Sequence, residues 1–457
     1  MAILLLAFSG ERAQAAATVW DGGGANANWD TANNWDSNSV PGSNEDITFG
    51  TGFGSGTAIN LNGNRSVKTL TISTTTDFSL NNNTLTINQG DITRTAASGT
   101  TTINSAVALG ASGVWNIAGN LTVNGVVSGS GNGITKTGTG TLTLSGANTY
   151  SGGTTISGGT VAVGNNAALG TGTLKFQGGS GTLMSASSNG YTLANLVEMY
   201  QDTTIGGTGA LNFSGNFVLK NNNYLLTIDN TAVTTFSGAS ITTDGNRTLT
   251  VNVNSASGGA VVSGAMQDSG GNVLSLTKAG GGTLTLSGNN TYTGRTTISG
   301  GTLLLGAANR IADTSPMTLS GGTFKTGGFS ETLGALTLTV SSTIDLGFSS
   351  GILKFGASNG LFTTGQALSI YNWTSGQDHL FFGTNNSSLD GSQLGQISFY
   401  SDSGGSFLGT ARYTGTQGEL VPIPEPTAVG VALGVMVLIG WRERRRSRRN
   451  IETTAIG

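Results

Sequence analysis

Along most of the chain, apolar residues fall at every second position, with Thr, Ser or Asn between them. Leu142 and Leu144 alternate with Thr141 and Thr143, and Leu284 and Leu286 with Thr283 and Thr285. The segments 68–72, 84–87, 120–123, 248–251 and 336–340 follow the same rule. A period of two predicts short strands with one apolar and one polar face. Gly and Asn separate them; at Gly158-Gly159 and Gly300-Gly301 the chain can turn at positive φ without steric cost.

One stretch occurs twice. KTGTGTLTLSGANTYSGGTTISGGT begins at Lys136 and KAGGGTLTLSGNNTYTGRTTISGGT begins at Lys278, with 20 of 25 positions identical. A structural unit has therefore been duplicated. Strands this short cannot bury an apolar face alone, but stacked coils form one continuous core, with Thr and Asn in ladders along the stack. The expectation is an all-β chain whose residues 51–365 form a parallel β-helix, or solenoid. A string of β-sandwiches would also alternate, but the duplication and the lack of Pro-rich linkers favour the solenoid.

Composition narrows the function. Charged residues make up 9% of the chain, against about 25% in ordinary globular domains, too few to coat surface helices of an α/β or helical enzyme. With 75 Gly but 36% hydrophobic residues, the chain can still bury a core. There is no Cys, hence no disulfide, thiolate metal site or thiol nucleophile. Residues 1–441 carry 14 basic and 21 acidic side chains, a net of −7, which argues against nucleic acid as a partner.

The candidates for catalysis are few. His379 is the only histidine, with Asp378 beside it, but neighbours on a strand point to opposite faces. Glu45-Asp46 is the only adjacent acid pair in the body, and no calcium-binding Gly-Gly-x-Gly-x-Asp repeat or phosphate loop occurs. No catalytic residue, metal or cofactor is expected. Residues 18–50 hold Trp20, Trp29 and Trp35, each followed by Asp. They form either an N-terminal cap for the first coil or, through ring stacking, a platform for sugars.

Both ends read as targeting segments. An apolar run from Ala2 to Phe8 followed by small residues to Ala17 predicts a signal peptide at 1–17, removed by signal peptidase, with an earlier start codon expected upstream. At the other end, Val421–Thr427 packs three of the chain's five prolines ahead of an uncharged stretch, 428–441, and a run of arginines. At about 1.5 Å per residue, that stretch is short for a bilayer core of about 30 Å. The arginines would hold the segment's end in the cytoplasm.

Two family resemblances follow from these motifs. The order Pro-Glu-Pro, short apolar helix, arginine cluster, over 421–449 with a tail at 450–457, resembles the PEP-CTERM sorting signal of exported bacterial proteins. Pro424, Glu425 and Pro426 match its tripeptide, with Thr427 following; Arg442, Arg444, Arg445 and Arg446 match its basic cluster. The resemblance implies an exosortase that cleaves the tail, a transient inner-membrane anchor at 428–441, and delivery to the envelope surface or an extracellular (biofilm) matrix. Residues 136–161 and 278–303 resemble the autotransporter-associated β-strand repeat, also called the passenger-associated transport repeat, which implies a right-handed parallel β-helix. The many strands of about 10 residues that a translocator barrel needs are not read in this sequence. Residues 366–420, richer in aromatics, resemble the closing module that precedes such tails and read as a C-terminal cap. The expected function is a non-enzymatic, structural or adhesin-like surface protein. A polysaccharide-binding or polysaccharide-degrading β-helix is the alternative, with extracellular polysaccharide as its partner.

Overall fold

The computed structural model describes residues 17–423, apart from 52, 53, 55, 256, 403 and 404. The expected signal peptide at 1–17 lies outside this range but for its last residue. So does the sorting signal from Pro424 onward, including Glu425, Pro426, Thr427, the span 428–441 and the arginines at 442, 444, 445 and 446. No helix among the described residues is long and apolar enough to cross a membrane. The chain divides into two compact units, with the boundary between Thr318 and Leu319.

The first unit is a parallel β-solenoid of right-handed type. Its first sheet has 12 strands, each but the two at its ends hydrogen-bonded to the strand one coil earlier and one coil later. Parallel neighbours need a long crossover, and here the crossover is the rest of the coil. Register shows that coil length varies: the shorter coils set Ile134 against Thr154 and Thr154 against Leu174, whereas longer ones set Leu174 against Val197 and Phe217 against Ile241. A second sheet runs alongside from Thr57–Asn60 through Thr141–Leu144 and Gly159–Val163 to Thr296–Ile298. The third side carries strands in the early coils, Arg65–Val67 to Val127–Ser128, and again from Tyr191–Leu193 onward.

The inward positions are those the alternation predicts. Leu142, Leu144, Ile156, Leu284, Leu286 and Ile298 are fully buried, and the Thr residues between the leucines are half-buried on the outer face. Removing each such side chain from water is worth about 1.5–3 kcal/mol, and stacking makes the burial continuous. Polar ladders run outside it. Asn104 donates from Nδ2 to Asn81 Oδ1 at 2.7 Å, and Asn124 donates to Asn104 at 2.8 Å.

The second unit also stacks in parallel. Thr323–Lys325, Ser342–Asp345, Leu368–Tyr371 and Ile397–Tyr400 form one ladder, and Glu331–Val340, Ile352–Gly356 and His379–Phe382 another. Parallel rungs thus continue well into the segment 366–420, read from its composition as a cap. An antiparallel hairpin, Phe407–Thr414 with Glu419–Ile423, then covers both ladders, pairing with Ile397–Tyr400 and His379–Phe382. A sheet edge left open would invite pairing with another chain, and this hairpin covers it. The one α-helix among the described residues, Gly391–Gly395, starts with an Asp390–Gln393 capping box.

Candidate functional site

The chemistry of the repeats is buried. Lys136 occupies an inward position of Ile134–Thr137 and is fully enclosed. Its Nζ reaches the corner of the coil and donates to the carbonyls of Thr137 at 2.8 Å, Gly138 at 2.9 Å and, one coil later, Gly158 at 3.2 Å. An ammonium has three protons to donate, so three carbonyl dipoles take the place of a carboxylate. Lys278 repeats the arrangement with Ala279 at 2.7 Å, Gly280 at 2.9 Å and Gly300 at 3.2 Å. Burial pushes both ammonium groups down to about 8, while the carbonyl bonds favour the charged form. The glycines are required by the clamp: Gly301 sits at φ +58°, and a Cβ there would lie 2.4 Å from the carbonyl oxygens of Gly280 and Gly282.

The Asn-x-Tyr part of each repeat fastens three coils. Asn148 accepts from the backbone N–H of Val127 at 2.7 Å in the coil before and donates to the carbonyl of Ala168 at 2.6 Å in the coil after. Asn290 does the same between Met266 and Arg310. The Tyr150 hydroxyl lies 2.6 Å from Thr154 Oγ1, which donates to Leu169 O at 3.0 Å, and Tyr292 lies 2.8 Å from Thr296 Oγ1. Burial raises the Tyr150 phenol above its ordinary range. Lys, Asn, Tyr and Thr of the motif are thus core residues whose polar atoms are satisfied by their own coil and the neighbouring ones.

The two copies do not lie on the same side of the solenoid. Lys136 stands in the first sheet, whose ladder carries it through Ile156, Phe176, Met199 and Leu219 to Thr243, with Ala265–Met266 as the next rung. Lys278 falls on the strand after that rung, in the second sheet beside Val251. The second copy is therefore displaced by six coils and one further side, and the clamp works at either corner. Arg94, an inward cation outside the repeats, does related work: its guanidinium donates to Thr101 Oγ1 at 2.6 Å and to the carbonyls of Ser98 at 3.0 Å and Gly99 at 2.7 Å.

The residues singled out for surface chemistry are placed differently. Trp20, Trp29 and Trp35 are 1%, 1% and 0% exposed. Their rings pack on one another, with centroids 5.1 Å apart for Trp20–Trp35 and 4.7 Å for Trp29–Trp35, and all three rest against Phe49. No ring face is open to a pyranose, which corrects the alternative of sugar stacking at these three residues. Burying large rings is worth more than exposing them, and here Phe49 of the first coils completes the cluster. The adjacent acids bind locally: Asp36 accepts from the N–H of Val19 at 3.0 Å and Asp30 from Asn62 Nδ2 at 2.6 Å.

His379 and Asp378 do not face each other. His379 Nδ1 lies 2.6 Å from Glu419 on the terminal hairpin, while Asp378 accepts from the N–H of Thr374 at 2.7 Å. Of the acid pair, Glu45 accepts from Thr18 at 2.8 Å and Asp46 bridges to Lys68 at 2.8 Å. No group of three metal-ligating side chains occurs among the described residues.

Residues 134–163 and 276–305 match the passenger-associated-transport-repeat family, and these are the segments that carry the two lysine clamps. No curated protein and no solved structure matches the chain.

Proposed function

We propose that the chain is an exported surface or matrix protein, a β-solenoid of structural or adhesin-like role without catalytic activity, processed at its C terminus by an exosortase-type protease. One observation carries the reading: the matched passenger repeats form buried, self-satisfied joints within a continuous parallel stack, so their residues serve assembly of the coils. The carboxylates noted above are engaged with backbone, Asn, Thr, Lys or His partners. This favours the structural reading over polysaccharide cleavage, which needs acids gathered on one face.

Localisation and processing test it directly. Protease treatment of intact host cells, or analysis of their matrix, should release peptides of 18–420. Mass spectrometry of the mature protein should find nothing from Arg442 onward, and Glu425→Ala should leave a longer, membrane-retained form. Recovery of 451–457 from the bulk mature protein would overturn the sorting step, and a cytoplasmic, protease-protected chain would overturn the whole reading.

A further inference from the structure

The outer face of the second unit carries two parallel rows of side chains. Thr323, Thr343, Ser369, Ser398 and Thr410 stand side by side on five successive strands, all half-buried and facing out. Two residues further along the same strands come Lys325, the buried Asp345, Tyr371 and Tyr400, with Phe407 next to Tyr400 on the hairpin. The rings of Tyr371 and Tyr400 are 4.8 Å apart, those of Tyr400 and Phe407 5.7 Å, and Phe407 is 40% exposed. At the start of the first row lies a groove of about 210 Å³ lined by Gly321, Thr323, Ser341, Thr343 and Ser369.

From this juxtaposition of a hydroxyl-lined groove and an aromatic row, we infer that the face binds an uncharged polysaccharide laid across the strands. Charge selects this ligand class. The only charged side chains in the two rows, Lys325 and Asp345, pair with each other at 2.9 Å, and Arg412 flanks the rows at the hairpin end. An acidic polymer therefore finds no run of cations here. A peptide is disfavoured for a different reason: the strands spend their backbone groups in ladder bonds, and the hairpin covers the edge, so strand addition has no template. What remains is recognition by side chains, through hydroxyls that exchange hydrogen bonds with sugar hydroxyls and rings that contact the apolar faces of pyranoses. Within each row a side chain recurs once per strand, every ~4.8 Å, offering the same contacts repeatedly to a repeating polymer. The inference deepens the surface-protein reading by naming a ligand class, and it moves the sugar contact from the enclosed tryptophans to the opposite end of the sequence.

The test is affinity electrophoresis of the native secreted protein in gels cast with galactomannan, hydroxyethyl cellulose or dextran, with alginate as the anionic control. At least one neutral polymer should retard the protein, little affected by added salt. Tyr371→Ala with Tyr400→Ala should weaken that retardation about tenfold. Should this pair lower the melting temperature, Thr343→Lys, which sets a charge in the groove without touching the core, should weaken it comparably. Absence of retardation by all three neutral polymers, retardation by alginate alone, or equal retardation of folded variants overturns the inference. None of these outcomes bears on where the protein resides, which the protease and mass-spectrometric experiment decides separately.

Discussion

A buried lysine without a carboxylate should give the protein an unusual dependence on pH. Lys136 and Lys278 are enclosed, and burial lowers both from 10.5 to about 8. Below pH 8 the folded and unfolded chains are both protonated there, and linkage adds nothing. Between about 8 and 10.5 the unfolded chain holds the proton more tightly than the folded one, so stability rises with pH. For one lysine, the gain from pH 7 to pH 9.5 is about 2 kcal/mol; the carbonyl bonds, which favour the ammonium, make this an upper figure. The window closes near pH 10, where tyrosines of the unfolded chain ionise while buried Tyr150, held above its ordinary range, does not, and stability turns down. Lys278→Met keeps the volume and removes the titration. In denaturant melts across pH 7–9.5, stability should rise less steeply in the variant than in the wild type, by about half of the lysine contribution. Identical slopes in the two proteins, or a wild type that loses stability through this window, would refute the assignment of a desolvated ammonium.

Three further perturbations address the clamps and faces. Ile298→Asp should bury an unpaired carboxylate and cost several kcal/mol, whereas Thr297→Asp on the neighbouring outward position should change the melting point little; equal effects would invert the faces. Asn148→Leu strands the N–H of Val127 and the carbonyl of Ala168 and should destabilise by about 2–5 kcal/mol, read as accelerated amide exchange in the coils on both sides. Gly301→Ala forces a Cβ into two carbonyls at positive φ and should cost at least about 1–2 kcal/mol, while Gly281→Ala, with nothing within 4 Å of its Cβ, should be near neutral in the same melts.

The alternation of Leu142, Leu144 and Ile156 with Thr was enough to read strands, their inner faces and stacking, because those signals are local. Lys136 and Asn148 escaped the same logic. A period-two pattern assigns polar residues to the surface; what lets Lys136 stay inside is the carbonyls of its own corner, Thr137 and Gly138, with Gly158 of the next coil, and what holds Asn148 is the coils before and after. The signal that exists is a single Lys in an inward phase followed by Gly-x-Gly, as at both copies. The tryptophans mislead for a related reason: Trp-Asp pairs suggest surface chemistry, but Phe49, distant from Trp20 in sequence, closes over them. Coil length was legible only as an average, since loops at the corners let it differ between the coil that sets Ile134 against Thr154 and the one that sets Phe217 against Ile241. The two rows on the outer face of the second unit were invisible, because Thr343, Ser369 and Ser398 become neighbours only through strand pairing.

The rotation of the second repeat by one side has a consequence for the gene. Near-identical copies are substrates for unequal recombination, and a crossover between them would delete everything from one copy to the other without leaving a mismatched joint, because each clamp closes against whichever coil follows it. The product would be shorter by six coils and one side, and every later residue of the first unit would therefore be turned by one side. A surface residue on one flank of the parent would emerge on the next flank of the descendant, with its local packing retained. Length variants arising in this way would therefore differ in the azimuth of what they display as well as in reach, whereas deletions of whole coils would preserve it.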